Sequence, residues 1–103
     1  MALLFDTLQH VPLNGGVGTT LVASAVAGKR HKVLGFVLGA SATGTFKFID
    51  GAGDLMGPVT ASKDNPVVTM GGFPIVETAI NSPLSIVTTG LAARGVVVYV
   101  TEG

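Results

Sequence analysis

Cysteine is absent from these 103 residues, and so is tryptophan. The first absence removes any disulfide framework and any thiolate metal site, and it leaves the redox compartment open. Charge is scarce too: Asp, Glu, Lys and Arg make up 12% of the chain, against roughly 25% in an ordinary soluble protein. The formal charges cancel to zero, which removes the basic footprint of a nucleic-acid binder. Charge-free stretches are broken by Pro, Gly, Asn or Thr before they reach the ~20 apolar residues of a spanning helix, so no membrane partner is expected. The opening Met1-Ala2-Leu3-Leu4-Phe5-Asp6 has neither a basic leader nor a long apolar run. A mature chain beginning at or near Met1 is therefore expected.

What remains is apolar and strand-forming. Hydrophobic residues make up 48% of the chain and glycine contributes 15 positions. The length suits one domain spanning 1–103, with a real but small core. So little charge on so small a domain would keep it poorly dispersed alone, and partners are expected to cover part of its apolar surface.

Helix signals are weak and strand signals recur about every ten residues with turn chemistry between them, the spacing of a sandwich or barrel. Eight strands are predicted, at 2–8, 19–27, 32–41, 45–49, 55–60, 66–70, 84–89 and 95–101. Asn14-Gly15-Gly16 reads as a turn, 71–82 as a long connection, and Gly90 to Arg94 as the link between the last two strands. The simplest fold is an all-β, eight-stranded antiparallel jelly-roll sandwich. In that order the turns at 28–32 and 50–54 and the loop bearing Glu77 share one end. Those at 13–18, 42–44, 61–65 and 90–94 share the other.

The strand over 32–41 carries the strongest signal. With period two, Val33 and Val37 fall on one face and Leu34, Phe36 and Leu38 on the other, so both faces are apolar and both need cover. One can enter the domain's own core, and the other is expected to meet another subunit or a larger surface. Val33 and Val37 are therefore candidate subunit contacts, together with Lys29, Arg30 and Lys32 of the basic turn and Asp50 and Asp54 of the acidic one. The basic residues read either as a solvated turn or as partners for a carboxylate, across a subunit boundary or on a host surface. Leu3, Leu4 and Phe5 form an apolar cluster within 1–10 that serves as a first strand or as a contact arm.

Catalytic and ligand motifs come close and fail. Ala23 to Arg30 approaches a phosphate-binding loop but has Ala23 at the first glycine and Arg30 where a magnesium-binding hydroxyl belongs. Gly39-Ala40-Ser41-Ala42-Thr43 approaches a nucleophile elbow, yet Thr43 replaces its second glycine. Asp50 and Asp54 lack the carboxylate density of a calcium loop. His10 and His31 form no ligand pair of the cupin kind. His31 reads as a member of the solvated basic turn, and Tyr99 as a ring at a sheet edge with its hydroxyl in water. No enzyme activity, cofactor or metal is expected.

The basic turn, the two-faced strand, Gly72-Phe73-Pro74 to Glu77-Thr78, Leu84-Ser85-Ile86 and Gly95-Val96-Val97-Val98-Tyr99-Val100 occur in this order. Together with Leu21 to Lys29 they give a chain that resembles small jelly-roll virion proteins of tailed bacteriophages, over residues 19 to 101. The resemblance implies a structural component, often a homotrimer seated on the major capsid protein as a decoration or cement protein. Its location would be the capsid surface of the virion, after assembly in the host cytoplasm. The alternative is a tail, spike or vertex component that binds a host receptor or glycan. That reading wants aromatic platforms and exposed polar groups, and the chain offers a single tyrosine.

Overall fold

A computed structural model describes residues 8 to 70 and 74 to 103. Seven strands and no helix occur among them: β1 (Gln9–Ala23), β2 (Arg30–Ala40), β3 (Gly44–Ile49), β4 (Val59–Ala61), β5 (Val67–Met70), β6 (Val76–Glu77) and β7 (Leu84–Glu102). Every pairing between them is antiparallel. The all-β expectation holds, in the form of one antiparallel sheet curled into a sandwich-like, nearly barrel-shaped body.

The spine is β7, 19 residues long. Along one edge it pairs with β1 from Leu84 to Tyr99. Along the other it pairs first with β3, from Ser85 to Thr89, and then with β2, from Ala93 to Glu102. Two shorter ribbons extend the sheet, β4 beyond β3 and β5 and β6 beyond β2. Where β7 passes from β3 to β2, Ser41 fills the gap: its N–H donates to the Ala92 carbonyl at 3.1 Å, and its hydroxyl accepts from the Ala92 N–H at 2.9 Å.

Two glycines permit this close wrapping. Gly95 sits at φ +136°, and a Cβ there would collide with the carbonyl of Val37 on β2. A Cβ on Gly44 would collide with the Thr89 carbonyl on β7. Neither obstacle is the movable end of a side chain, so only glycine fits.

The core lies inside the curl. Phe36 of β2 meets Phe46 and Phe48 of β3 edge-on, with ring centroids 5.4 and 5.5 Å apart, the geometry that the ring quadrupoles favour. Leu38, Leu84, Ile86, Val33 and Val97 complete its centre. The strand expected at 45–49 is found as β3, and its faces alternate: Phe46 and Phe48 are buried while Lys47 between them reaches Asp54.

Several expectations are corrected. The strands expected at 84–89 and 95–101 are one strand, and Gly90 to Arg94 is part of it. The turn expected at 13–18 is strand as well: β1 passes through Asn14-Gly15-Gly16 and absorbs it as register shifts at Asn14/Gly16 and Gly16/Gly18. The strand expected at 19–27 stops at Ala23, the one at 55–60 shrinks to β4, and the long connection contains β6. Residues 2–7 of the first expected strand, with Leu3, Leu4 and Phe5, lie outside the described residues, as does Gly71-Gly72-Phe73.

The faces of β2 also differ from strict alternation. Its pairing with β7 shifts between Val33 and Gly35, a β-bulge. The extra residue turns Val33 to the side of Phe36 and Leu38, where it is 0% exposed. Val33 and Val37 therefore face opposite ways. Val33 is a core residue of its own chain and is not available as a subunit contact.

Candidate functional site

At one end the expected grouping holds, with the turns at 28–32 and 50–54 and the segment bearing Glu77 joined by hydrogen bonds that bring the charges together. By contrast 13–18 and 90–94, expected as turns of the other end, are strand. Glu77 stands beside Lys32 in the β2–β6 pairing, and its carboxylate lies 3.6 Å from Lys32 Nζ and 4.0 Å from Arg30 Nη1. Lys32 also reaches Glu102 at 3.2 Å. Asp54 pairs with Lys47 at 2.9 Å. Exposed pairs of this kind contribute about 0–1 kcal/mol each and chiefly fix local geometry. Of the expected subunit contacts, Arg30, Lys32 and Asp54 thus have ion-pair partners within the chain. Lys29 makes no ion pair among the described residues.

Asp50 is a structural anchor. Its Oδ1 accepts from the Ala52 and Gly53 N–H groups at 2.8 and 3.1 Å, and its Oδ2 accepts from the Ala79 N–H at 2.9 Å. The Ala79 N–H holds the carboxyl below its usual range; desolvation opposes this, and the Ala52 and Gly53 N–H groups reinforce it. The side chain thereby closes its own turn and ties it to the loop after β6. Among the described residues no group of three His, Asp or Glu side chains could hold a metal.

His31 and Tyr99 are where the sequence reading fails most. His31 is 2% exposed, not a member of a solvated turn. Its Nε2 lies 2.8 Å from the Ser24 carbonyl and its Nδ1 lies 2.8 Å from the Thr101 hydroxyl. A carbonyl only accepts, so Nε2 carries the hydrogen, and in the neutral ring Nδ1 accepts from Thr101. Tyr99 meets the imidazole edge-on at 5.7 Å. The Tyr99 hydroxyl is not in bulk water: it donates to Gln9 Oε1 at 2.9 Å, and desolvation raises its pKa above the ordinary 10.0. Strict alternation puts His31 on the face of Val33 and Val37, which the sequence reading turned outward, and Arg30 and Lys32 beside it read as a solvated turn. The bulge between Val33 and Gly35 turns this end of the strand inward, and a local reading does not contain it.

These side chains form the floor of a cleft of about 530 Å³ lined by Gln9, Val22, Ala23, Ser24, Val26, Lys29, His31, Tyr99 and Thr101. Its walls come from β1, the turn after it, β2 and the end of β7.

The second feature lies on the outer face of the sheet. Val68 pairs with Val37, Val37 with Val96, and Val96 with Pro12. One row of apolar side chains therefore crosses β5, β2, β7 and β1. Val68 is 60% exposed and Val37 is 36% exposed, although both belong to well-paired strands. Of the rows on either side, one carries Gly35, Val98 and His10 and the other Gly39, Arg94 and Asn14, so the apolar stripe is bordered by the exposed Arg94. The sequence reading of a strand apolar on both faces is carried by Val37, with Phe36 and Leu38 turned inward.

Comparison with known proteins finds no family model, no curated protein and no solved structure that matches this chain. No helix among the described residues is long and apolar enough to cross a membrane.

Proposed function

We propose that this chain is a virion structural protein of a tailed bacteriophage, a jelly-roll decoration protein that assembles as a trimer, binds the major capsid protein and strengthens the head shell. The observation that carries the proposal is the valine row Val68–Val37–Val96 with Pro12, an apolar stripe left on the outer face of a sheet whose other face already holds the core. Leaving such a stripe in water forgoes about 25 cal/mol for every Å² of apolar surface. A stable interface buries about 800 Å² per partner, a modest part of the 5520 Å² surface of the chain. The order of motifs along residues 19 to 101, which resembles that of the phage proteins, supplies the identity of the assembly. Several weak capsid contacts, joined through a trimer, would act together by avidity. Leu3, Leu4 and Phe5 are the proposed capsid contact.

A tail, spike or vertex role with a receptor or glycan partner is the second reading, and the cleft over His31 is the observation that favours it. Electron cryomicroscopy of the virion distinguishes the two by position: density of this protein on the head lattice supports decoration, and density at the tail or a spike overturns it. Deleting residues 2 to 8 tests the proposed contact. Retention on empty capsids should fall, and unchanged retention by a folded deletion variant would move the contact elsewhere.

A further inference from the structure

The cleft beside His31 has a chemical bias that assembly alone does not explain. Lys29 is the one Lys or Arg among its lining residues, and no carboxylate stands with it. The neighbouring cations Arg30 and Lys32 are paired to Glu77 and Glu102, whereas Lys29 makes no ion pair among the described residues. The polar groups on the floor are also set in one sense. Gln9 Oε1 is occupied by the Tyr99 hydroxyl, so its amide NH₂ is the part of the side chain left to donate. The Ser24 carbonyl is occupied by His31 Nε2. Two acceptors that could repel an anion are thereby engaged, and the remaining strong donors are the Lys29 ammonium and the Gln9 amide.

Three lining residues are apolar. Val22 and Ala23 are buried in the end of β1, and Val26 stands exposed after it. A neutral sugar would want acceptors for its hydroxyls and an open aromatic face. Here the Tyr99 ring is buried and set edge-on to His31.

We propose that this cleft binds a carboxylate carried on a short aliphatic stem, with Lys29 and Gln9 holding the carboxylate and Val22, Ala23 and Val26 covering the stem. The carboxylate comes either from a free small acid or from an acidic side chain of a partner polypeptide. The Tyr99–Gln9 bond holds the Gln9 amide in place before the ligand arrives, and the exposed Lys29 supplies the charge. This site is independent of the outer valine row, and its failure would leave the assembly proposal standing.

Three probes test it on the full chain by amide NMR titration near pH 7: sodium butyrate, its uncharged analogue butyramide, and the capped peptide acetyl-Ala-Glu-Ala-amide. Saturable shifts are expected at Gln9, Lys29, His31 and Thr101 with butyrate or the glutamyl peptide, and not with butyramide. Tighter binding of the peptide assigns a protein-borne carboxylate, and tighter binding of butyrate assigns a free acid; both support the site. Lys29→Met should weaken binding roughly tenfold, the loss expected of one charge-assisted contact, while Lys63→Met leaves it unchanged. Lys29→Gln provides a second variant, and the spectra themselves report whether each variant is folded. Equal response to butyrate and butyramide, absence of saturation with both carboxylates, or equal binding by folded Lys29 and Lys63 variants would overturn the proposal.

Discussion

Asp50 shows how one side chain can set a pH limit on this fold. Its folded pKa lies below the ordinary 3.8 because the Ala79 N–H, helped by those of Ala52 and Gly53, favours the charged form over an opposing desolvation. The unfolded chain therefore takes up the proton first as the pH falls. The stabilisation is complete above the unfolded value and is lost as the pH drops through the folded one. Asp50→Asn removes the charge while keeping one carbonyl acceptor, and it should destabilise the protein by about 1 kcal/mol near neutrality, the scale of a net hydrogen-bond loss. Thermal melts of both proteins at descending pH should converge below the ordinary carboxylate range. A difference in melting temperature that stays constant with pH would mean that the charge on Asp50 contributes nothing. The buried His31 and Tyr99 teach a separate lesson at the same scale. Strict period two puts His31 on the face of Val37 and thus outward, and the bulge between Val33 and Gly35 is what turns it in. Tyr99 lies in a run of valines in which neither face stands out as the core side.

At the scale of elements, glycine is the residue whose role depends most on tertiary contact. Gly95 and Gly18 both have positive φ, at +136° and +78°, yet their surroundings differ. A Cβ on Gly95 would strike the Val37 backbone, whereas one on Gly18 meets nothing within 4 Å. Gly18→Ala should cost about 1–2 kcal/mol, the price of a left-handed conformation with a side chain. Gly95→Ala adds a backbone collision, which separates β7 from β2, and should cost several kcal/mol or prevent folding. Chemical denaturation of the two variants checks the order, and equal losses would show that the β2–β7 approach relaxes freely. The same contact explains which elements were legible. The core of β3 announces itself through apolar alternation, and those of β2 and β5 through apolar runs rich in β-branched residues. The continuity of β1 through Asn14-Gly15-Gly16 and of β7 through Gly90 to Gly95 does not, because turn chemistry and bulge chemistry use the same residues. Long-range pairing between those two strands decides between turn and bulge, and a local reading does not contain it. The cleft was unreadable for the same reason, since it joins Gln9 to Tyr99 and His31 to Thr101 across the sheet.

For the whole molecule, the decisive contrast is between two valines four residues apart on β2. Val33 is 0% exposed and packs inside the curl, while Val37 is 36% exposed within the outer row. An aspartate at Val33 would bury an unpaired charge in the protomer, and Val33→Asp should unfold it, at a cost of several kcal/mol. Val37→Asp leaves the charge in water as long as the protomer is alone, and a surface change of that sort costs about 0.5 kcal/mol or less. If the outer row is the trimer interface, the same aspartate becomes buried on assembly, and an unpaired interfacial charge costs roughly 3–5 kcal/mol. At 1.4 kcal/mol per factor of ten, the association constant should fall at least about a hundredfold. Light scattering at micromolar concentration reads assembly, and circular dichroism melts read folding. The expected pattern is a trimeric parent, a folded but dissociated Val37→Asp variant, and an unfolded Val33→Asp variant. A monomeric parent would remove the trimer, and an assembled Val37→Asp variant would show that the subunits meet through some face other than this valine row.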